Sequence, residues 1–465
     1  MKNPMFVYDE ATTELVLAYC RERLALDPVP LDYGGFATDF SELLEGLIGA
    51  SGNDPAKVLE LFEHHLSTAV VSIDSPRFLS FIPAAPSKAA LLFDMVVSCS
   101  SLNGASWLLA AGAVAAENQV LGLLAELAGL PPTAGGTFVP GGSAANLSAL
   151  LVARDTAAAR AGSSTRRRVA VSAEAHSSVT KAIHILGLEV FVVPTADHRL
   201  TGRALASALA ADDDAASVFA VVGTAGTTNA GIVDDLDGIG RVAHERGMWF
   251  HVDAAYGGGA LFSPRTRPLF DGIEQADSLI VDPHKWLFAP YDCAALIYRD
   301  PSLARAAHTQ DAAYLAVFHT LPRAPGEPPA GGKGGGGEPW NPTDYAFQLS
   351  RRSRGMPLWF SLAVYGTDAY REAVEMAIGT AQAAARIVEA APHTELVREP
   401  GLGIVLFRRR GWLRPDYDAW SARMLQDQMA FVMPTTWEGE AVARLAVLHP
   451  ETTSAMVQEI VDSMA

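Results

Sequence analysis

Lysine is scarce in this chain. Among 465 residues there are six: Lys2, Lys57, Lys88, Lys181, Lys285 and Lys333. Acidic residues number 52 and the net charge is −17 at pH 7. No Lys/Arg run forms a basic stripe, which argues against a nucleic-acid partner. Cysteine is scarcer still. Cys20, Cys99 and Cys293 lie far apart and form no Cys-x-x-Cys pair, so no disulfide framework is expected and a reducing cytoplasm is the default compartment. No uninterrupted apolar run reaches ~18 residues, so no membrane span is expected. The opening Met-Lys-Asn-Pro-Met leads into acidic residues rather than the apolar segment of a signal peptide. A Ser-His-Asp hydrolase is disfavoured because Gly-x-Ser-x-Gly is missing. No His/Cys cluster has zinc-ligand spacing, and the adjacent His64 and His65 point in different directions on a helix. No metal is expected.

What the chain has is apolar residues in the right order. They make up 49% of the composition, enough at this length for a large core and more than one domain. Residues 10 to 70 read as helices, with Asp54-Pro55 supplying an N-cap and first-turn proline for a helix from Ala56 to Thr68. Two further helices are predicted at 91–98 and 112–128, the second stopped by Gly129-Leu130-Pro131-Pro132. From Arg168 strands alternate with helices: strands at 169–172, 189–194, 217–222, 249–252 and 278–281, helices at 176–186, 204–211 and 236–246. This alternation predicts an α/β fold with a mostly parallel sheet, whose ligands bind at the carboxyl ends of the strands. Three parts are expected: a helical segment 1–95, a large α/β domain 96–362 and a small α/β domain 363–465. Between Leu321 and Pro342 the chain is rich in Gly and Pro. Its Gly331-to-Gly337 run is not a P-loop, because no Ser or Thr follows Lys333 and no strand precedes it. The composition is that of a lid or disordered loop.

Candidate chemistry collects at the predicted strand ends. Ser278-Leu279-Ile280-Val281 runs into Asp282-Pro283-His284-Lys285-Trp286, so Lys285 leaves a buried strand. Burial lowers a lysine pKa and favours Schiff-base chemistry. Asp253 ends the strand Trp249-Phe250-His251-Val252. An acid and a lysine at neighbouring strand ends fit pyridoxal phosphate, the acid holding the pyridinium nitrogen and the lysine carrying the cofactor. Gly141-Gly142-Ser143, at a helix start, is the best anion cradle in the chain. Each feature alone has a plain alternative: a surface lysine, a tight turn, a helix cap at His176.

Three segments carry a family resemblance: Ala175-His176-Ser177-Ser178, His251-Val252-Asp253-Ala254-Ala255-Tyr256 and Pro283-His284-Lys285-Trp286. With these the chain resembles the group II pyridoxal-phosphate decarboxylases, from about Pro76 to its end. The resemblance implies an aspartate-aminotransferase-like, fold-type-I enzyme. It implies a homodimer with shared active sites, the segment 1–95 packing on the partner. It implies decarboxylation of an L-amino acid to amine and carbon dioxide. Aldehyde-forming decarboxylation coupled to oxidative deamination, or another pyridoxal-phosphate reaction, is the alternative, and a silent relative is disfavoured because Lys285 and Asp253 are both present. The implied cofactor residues are Gly142, Ser143, His176 stacking on the ring, Thr228, Asp234, Asp253, Ala255, His284 and Lys285. Tyr314 falls on a loop tyrosine that protonates Cα. Relatives that form aldehydes often differ at this tyrosine or at the histidine, so Tyr314 and His176 together favour the amine. Phe81, Ile82 and Pro83 match a substrate-pocket wall. Asn103 and Ala105 match positions given by the neighbouring subunit, and their small or polar character implies a pocket reshaped away from the usual aromatic substrates. Arg77 is the one candidate for a side-chain carboxylate, and Arg351 matches a structural arginine.

Overall fold

Buried β-type runs build a seven-stranded sheet from β1 (Gly135–Val139), β2 (Arg168–Ser172), β3 (Glu189–Val193), β4 (Val218–Thr224), β5 (Trp249–Asp253), β6 (Ser278–Val281) and β7 (Ala294–Tyr298). The structure is a computed structural model and describes residues 3–33, 40–82, 85–161, 167–320 and 339–465. The Gly331-to-Gly337 run and Pro83 lie outside these. Strand order is β1-β7-β6-β5-β4-β2-β3. The pairs β2–β3, β2–β4, β4–β5 and β5–β6 are parallel, whereas β7 is antiparallel to β1 and β6. Strands β4 to β7 are buried at every residue, which explains their continuous apolar runs.

Before the sheet come α1 (Glu10–Ala25), α2 (Phe40–Leu44), α3 (Pro55–Leu61), α4 (Lys88–Cys99) and α5 (Trp107–Leu127). Asp54, Ser87 and Ser106 cap α3, α4 and α5, and α3 ends earlier than the predicted Thr68. Within the sheet region lie α6 (Gly142–Ala161), α7 (Ser177–Ile185), α8 (Gly202–Ala210), α9 (Leu236–Glu245) and α10 (Pro301–His308). Side chains alternate across the sheet. Val221, Val252 and Leu279 face Leu124 of α5, Leu205 of α8 and Ile239 of α9. Ala220, Val222 and Ile280 face Ala149 of α6 and Val179 of α7. Two helical layers therefore cover the sheet and leave its carboxyl edge as the open end.

After the short α11 (Val317–Thr320), α12 (Met356–Ala390) leads into the small sheet. That sheet is antiparallel, ordered β10-β11-β9-β8, from β8 (Thr394–Leu396), β9 (Ile404–Arg409), β10 (Thr435–Trp437) and β11 (Glu440–Ala446). Helices α13 (Arg414–Gln426) and α14 (Ser454–Asp462) pack with it around Trp420, Tyr417 and Phe407. The expected division at 362/363 falls inside α12, which begins at Met356 and bends at Gly366, where φ is 74°. Among the described residues α5 is the one helix long and apolar enough to cross a membrane. Its middle residue Glu117 is buried and paired in two-pronged fashion with Arg351, at 2.7 and 2.9 Å.

Arg351 also donates to the Gly104 carbonyl, and Glu117 accepts from the Gly355 amide. This pair thus joins α5, the 104 turn and the start of α12. Removing one partner leaves the other charge buried and alone. Glu117→Ala is expected to lower stability by about 3–5 kcal/mol, read as a shift of the urea midpoint. A loss below about 1 kcal/mol, the scale of an exposed ion pair, would mean the pair is not the joint described.

Candidate active site

The carboxyl edge brings β5 and β6 side by side, with Asp253 opposite Ile280. The turn after β6 closes through the Lys285 amide on the Asp282 carbonyl. It returns the Lys285 ammonium to 3.0 Å from Asp282 Oδ2. Gly142, the first residue of α6, donates its amide to the same oxygen at 3.2 Å. A Cβ on Gly142 would stand 3.0 Å from Asp282 Oδ2 and 3.4 Å from Ala255 Cβ, so the cradle has room for backbone only. His284 Nδ1 accepts from the Cys293 amide at 2.9 Å. Its proton therefore sits on Nε2, 3.6 Å from Asp282 Oδ2, and burial pushes its pKa down.

Lys285 corrects one expectation. Burial alone does lower its pKa, but Asp282 and Asp253 outweigh burial and hold the ammonium above its ordinary range. The activating effect expected from burial is absent while both carboxylates are ionised and the amine is free.

Asp253 is held by two donors. Its Oδ1 accepts from the Ala255 amide at 3.1 Å and its Oδ2 from Asn146 Nδ2 at 3.0 Å. A carboxylate has about four acceptor sites, so capacity remains for a further donor. Asn146 also donates to Ser178 Oγ at 2.9 Å, and Ser178 Oγ lies 2.8 Å from His176 Nδ1. His176 is at the same time the N-cap of α7, its Nδ1 accepting from the Ser178 amide at 3.2 Å. Its cap position and its place beside Asp253 are compatible. His176 and Ser143 line one open cavity of about 550 Å³ together with Thr180, Lys181 and His184. Lys285, His284, Gly142, Ala255, Asp253, Ser143 and His176 thus belong to one neighbourhood.

Other candidates are held by contacts of their own. Both oxygens of Asp234 accept backbone amides, from Leu200 and Thr224, at 2.8 Å each. It ties β4 to the entry of α8, and burial pushes its pKa up to about 7. The Thr228 side chain is exposed, and its carbonyl is held by Arg444 of β11 at 2.6 Å. Tyr314 is 73% exposed on the turn Ala313–Leu315, and Phe81 is 62% exposed, whereas Ile82 is buried in the main core. Asn103 bridges to Arg352. Arg77 is occupied by Glu459 at 3.0 Å and by the Met429 carbonyl, so it is not a free anchor for a substrate carboxylate.

Sequence reading missed Asn146, Ser178, His251 and Asp282. Signals existed for two of them. His251 is two residues before Asp253 on a strand and shares its face. Asn146 lies one helical turn beyond the Gly142-Ser143 cradle.

These residues fit pyridoxal phosphate. Ser143, in the first turn of a 20-residue helix, offers its amide and the positive helix end to a phosphate, and Gly142, whose own amide is held by Asp282, keeps the approach open. Asp253 can accept from a protonated ring nitrogen, and Lys285 offers the amine. Asp282 Oδ1 is buried with no hydrogen-bond partner among the described residues.

Comparison with known proteins agrees. Residues 42–410 match the pyridoxal-dependent decarboxylase conserved domain. The chain is 30% identical over 426 residues to an aromatic-L-amino-acid decarboxylase of Bacillus atrophaeus, covering 89% of this chain and 85% of that one. It is 31% identical over 426 residues to an L-2,4-diaminobutyrate decarboxylase of Rhizobium meliloti, covering 88% and 81%. A 3,4-dihydroxyphenylacetaldehyde synthase of Aedes aegypti is 27% identical over 466 residues, covering 95% and 85%. Among solved structures, Oryza sativa TDC with PLP and tryptamine superposes with a TM-score of 0.87 at 24% identity, covering 100% and 99%. Mouse CSAD in apo form superposes with 0.85 at 25% identity, covering 98% of each chain.

Two outcomes are expected at this site. Asp253→Ala should reduce turnover by about 10²-fold or more, the scale of losing one preorganised electrostatic partner; a near-normal rate removes Asp253 from the site. His251 is fully buried, and burial lowers its pKa from 6.5 to about 4. Between these values the unfolded chain binds the extra proton, so stability falls as pH drops through the window, by up to about 1.4 kcal/mol per pH unit. Asp234, raised from 3.8 to about 7, acts in the opposite sense, so the comparison must be with His251→Gln. Denaturation midpoints of the two proteins should diverge below pH 6.5; parallel curves would contradict the neutral His251.

Proposed function

The chain belongs to the pyridoxal-dependent decarboxylase family and is a pyridoxal-phosphate-dependent carboxy-lyase of fold type I acting on an amino acid; we propose that its substrate is an L-amino acid with an aromatic side chain and its product the amine. Pyridoxal phosphate, when bound, supplies the electron sink for the pair left at Cα as carbon dioxide departs. The protein's part is to place groups around it. Lys285 would hold the cofactor and yield it to the substrate amine. Asp253, fixed by Asn146 and the Ala255 amide, would keep a proton on the ring nitrogen. His176 would pack on the ring, and the helix start at Gly142 and Ser143 with the Nε2–H of His284 would take the phosphate.

The aromatic assignment rests on one observation. Phe78, Phe81 and Phe431 form a cluster with ring centroids 5.1 to 6.4 Å apart, and Phe81 keeps most of its surface open. The sequence suggested a pocket turned away from aromatic substrates because Asn103 and Ala105 are polar or small; Phe431, 350 positions after Phe81, adds an aromatic ring that this reading did not include. With Arg77 occupied, an acidic substrate loses the anchor the sequence offered.

A homodimer with shared sites is the assembly we propose, with segment 1–95 against the partner. Asn341 supports it. It accepts the Trp107 amide at 3.0 Å and donates to the Phe318 carbonyl at 3.2 Å. It therefore ties the Asn103-to-Trp107 segment to the segment that carries Tyr314. The stretch expected to serve a partner's site is thus joined to the stretch that carries Tyr314. Free, scattered cysteines fit a cytoplasmic location.

Incubation with a panel of L-amino acids should release carbon dioxide and amine from an aromatic one. Release from an acidic or diamino acid alone, or aldehyde with ammonia and peroxide, would overturn the respective part of the proposal. Tyr314→Phe should move product from amine toward aldehyde. Co-expressed Lys285→Ala and Tyr314→Phe chains should regain about a quarter of wild-type amine formation through mixed dimers with one intact site. No recovery would place Tyr314 in its own subunit's site.

A further inference from the structure

Asn146 is fully buried, one turn into α6, and the proposed reaction uses only its bond to Asp253, not the rest of its contacts. Its amide stands at the centre of a hydrogen-bonded chain whose two ends are chemically opposite. At one end is the Trp249 indole N–H, which can only donate; it lies 2.8 Å from Ser278 Oγ. At the other is the Asp253 carboxylate, which can only accept. Ser278 Oγ is 2.8 Å from His251 Nδ1, and His251 Nε2 is 2.8 Å from Asn146 Oδ1. Trp249, Ser278, His251, Asn146 and Asp253 are all buried, so no water is free to reverse a bond.

The direction of every bond follows. The carboxylate requires the Asn146 nitrogen to face it, so the Asn146 oxygen faces His251. That oxygen requires a proton on His251 Nε2. A neutral His251 then accepts at Nδ1 from the Ser278 hydroxyl, which in turn accepts from Trp249. The second Asn146 N–H points to Ser178 Oγ and leaves the Ser178 hydroxyl proton for His176 Nδ1. The Ser178 amide donates to the same nitrogen. His176 therefore carries its proton on Nε2.

We infer that Asn146 is a positioning residue, oriented by His251, which holds the Asp253 carboxylate in place and fixes His176 as the Nε2–H tautomer through Ser178. The inference rests on the reading of Asp253 and His176 as cofactor residues. It assigns His251 an effect on both of them although it touches neither by a hydrogen bond. One rotation of the Asn146 amide would set its oxygen against the Asp253 carboxylate and spoil both ends together.

The test uses holoenzyme labelled with ¹⁵N-histidine, its signals assigned with His176→Gln and His251→Gln. Wild type should show both rings neutral at pH 7, protonated at Nε2 and bare at Nδ1. His251→Leu and Asn146→Leu should each lower kcat by about 10- to 100-fold, the scale of a slightly misplaced reacting group. They should also speed cofactor loss on dilution and change KM less than kcat. His251→Gln should stay near wild type in both, because its side-chain nitrogen keeps the donor to Asn146. A cofactor-loaded wild type with His251 protonated at Nδ1 overturns the inference and leaves the reading of the site standing, and needs no variant to fold. His251→Gln as damaging as His251→Leu overturns it too, since ring volume rather than the donor would then matter. A wild type that binds no cofactor overturns the reading beneath it.

Discussion

Two carboxylates buried at the ends of adjacent strands set the terms for this structure. Asp253 ends β5 and Asp282 follows β6, and neither has open water to solvate it. A buried ionised group without partners costs several kcal/mol or changes its protonation. The fold answers with donors gathered from distant parts of the chain. Asp253 takes the Asn146 side chain and the Ala255 amide, and Asp282 takes the Gly142 amide and Lys285. These requirements bring the start of α6 against the ends of β5 and β6. The position of α6 in turn brings its amide-rich N-terminus to the place where an anion would lie. The cofactor cradle and the partners of the buried acids are therefore parts of one arrangement.

Lys285 illustrates how that arrangement connects to chemistry. Beside two carboxylates it is held as an ammonium. An ammonium is no nucleophile, so the free lysine is stabilised in its resting form rather than activated. Joining a carbonyl therefore requires this amine first to lose the proton that the two carboxylates favour.

Much of this was legible in the sequence. Strand–helix alternation from Arg168 gave the parallel sheet, and strand ends located Asp253 and Lys285. What stayed hidden depends on contacts between distant segments. Strand β7 enters between β1 and β6 from a stretch, Ala294–Tyr298, that reads as any apolar run; its neighbour β1 lies more than 150 residues earlier. Phe431 joins Phe78 only because the small sheet folds back on the extended 76–82 segment, where the Leu79 amide donates to the Phe431 carbonyl at 2.9 Å. Asn146 is an ordinary helix residue until Asp253, 107 positions on, is placed beside it. The direction of the Lys285 shift was misjudged for the same reason: burial is readable from an apolar strand, but a neighbouring charge is readable only from the fold. The contacts of Asp234 with the Leu200 and Thr224 amides and of the Thr228 carbonyl with Arg444 were likewise not readable before the fold.

The scarcity of lysine makes the central claim directly testable. Borohydride reduction of the purified protein locks a lysine-bound pyridoxal phosphate in place, and digestion followed by mass spectrometry locates it among six candidates. The account predicts the added pyridoxyl-phosphate mass on the peptide containing Lys285 and on no other. The same mass on another lysine, or no modified peptide from a protein showing the cofactor's visible absorbance, would contradict it.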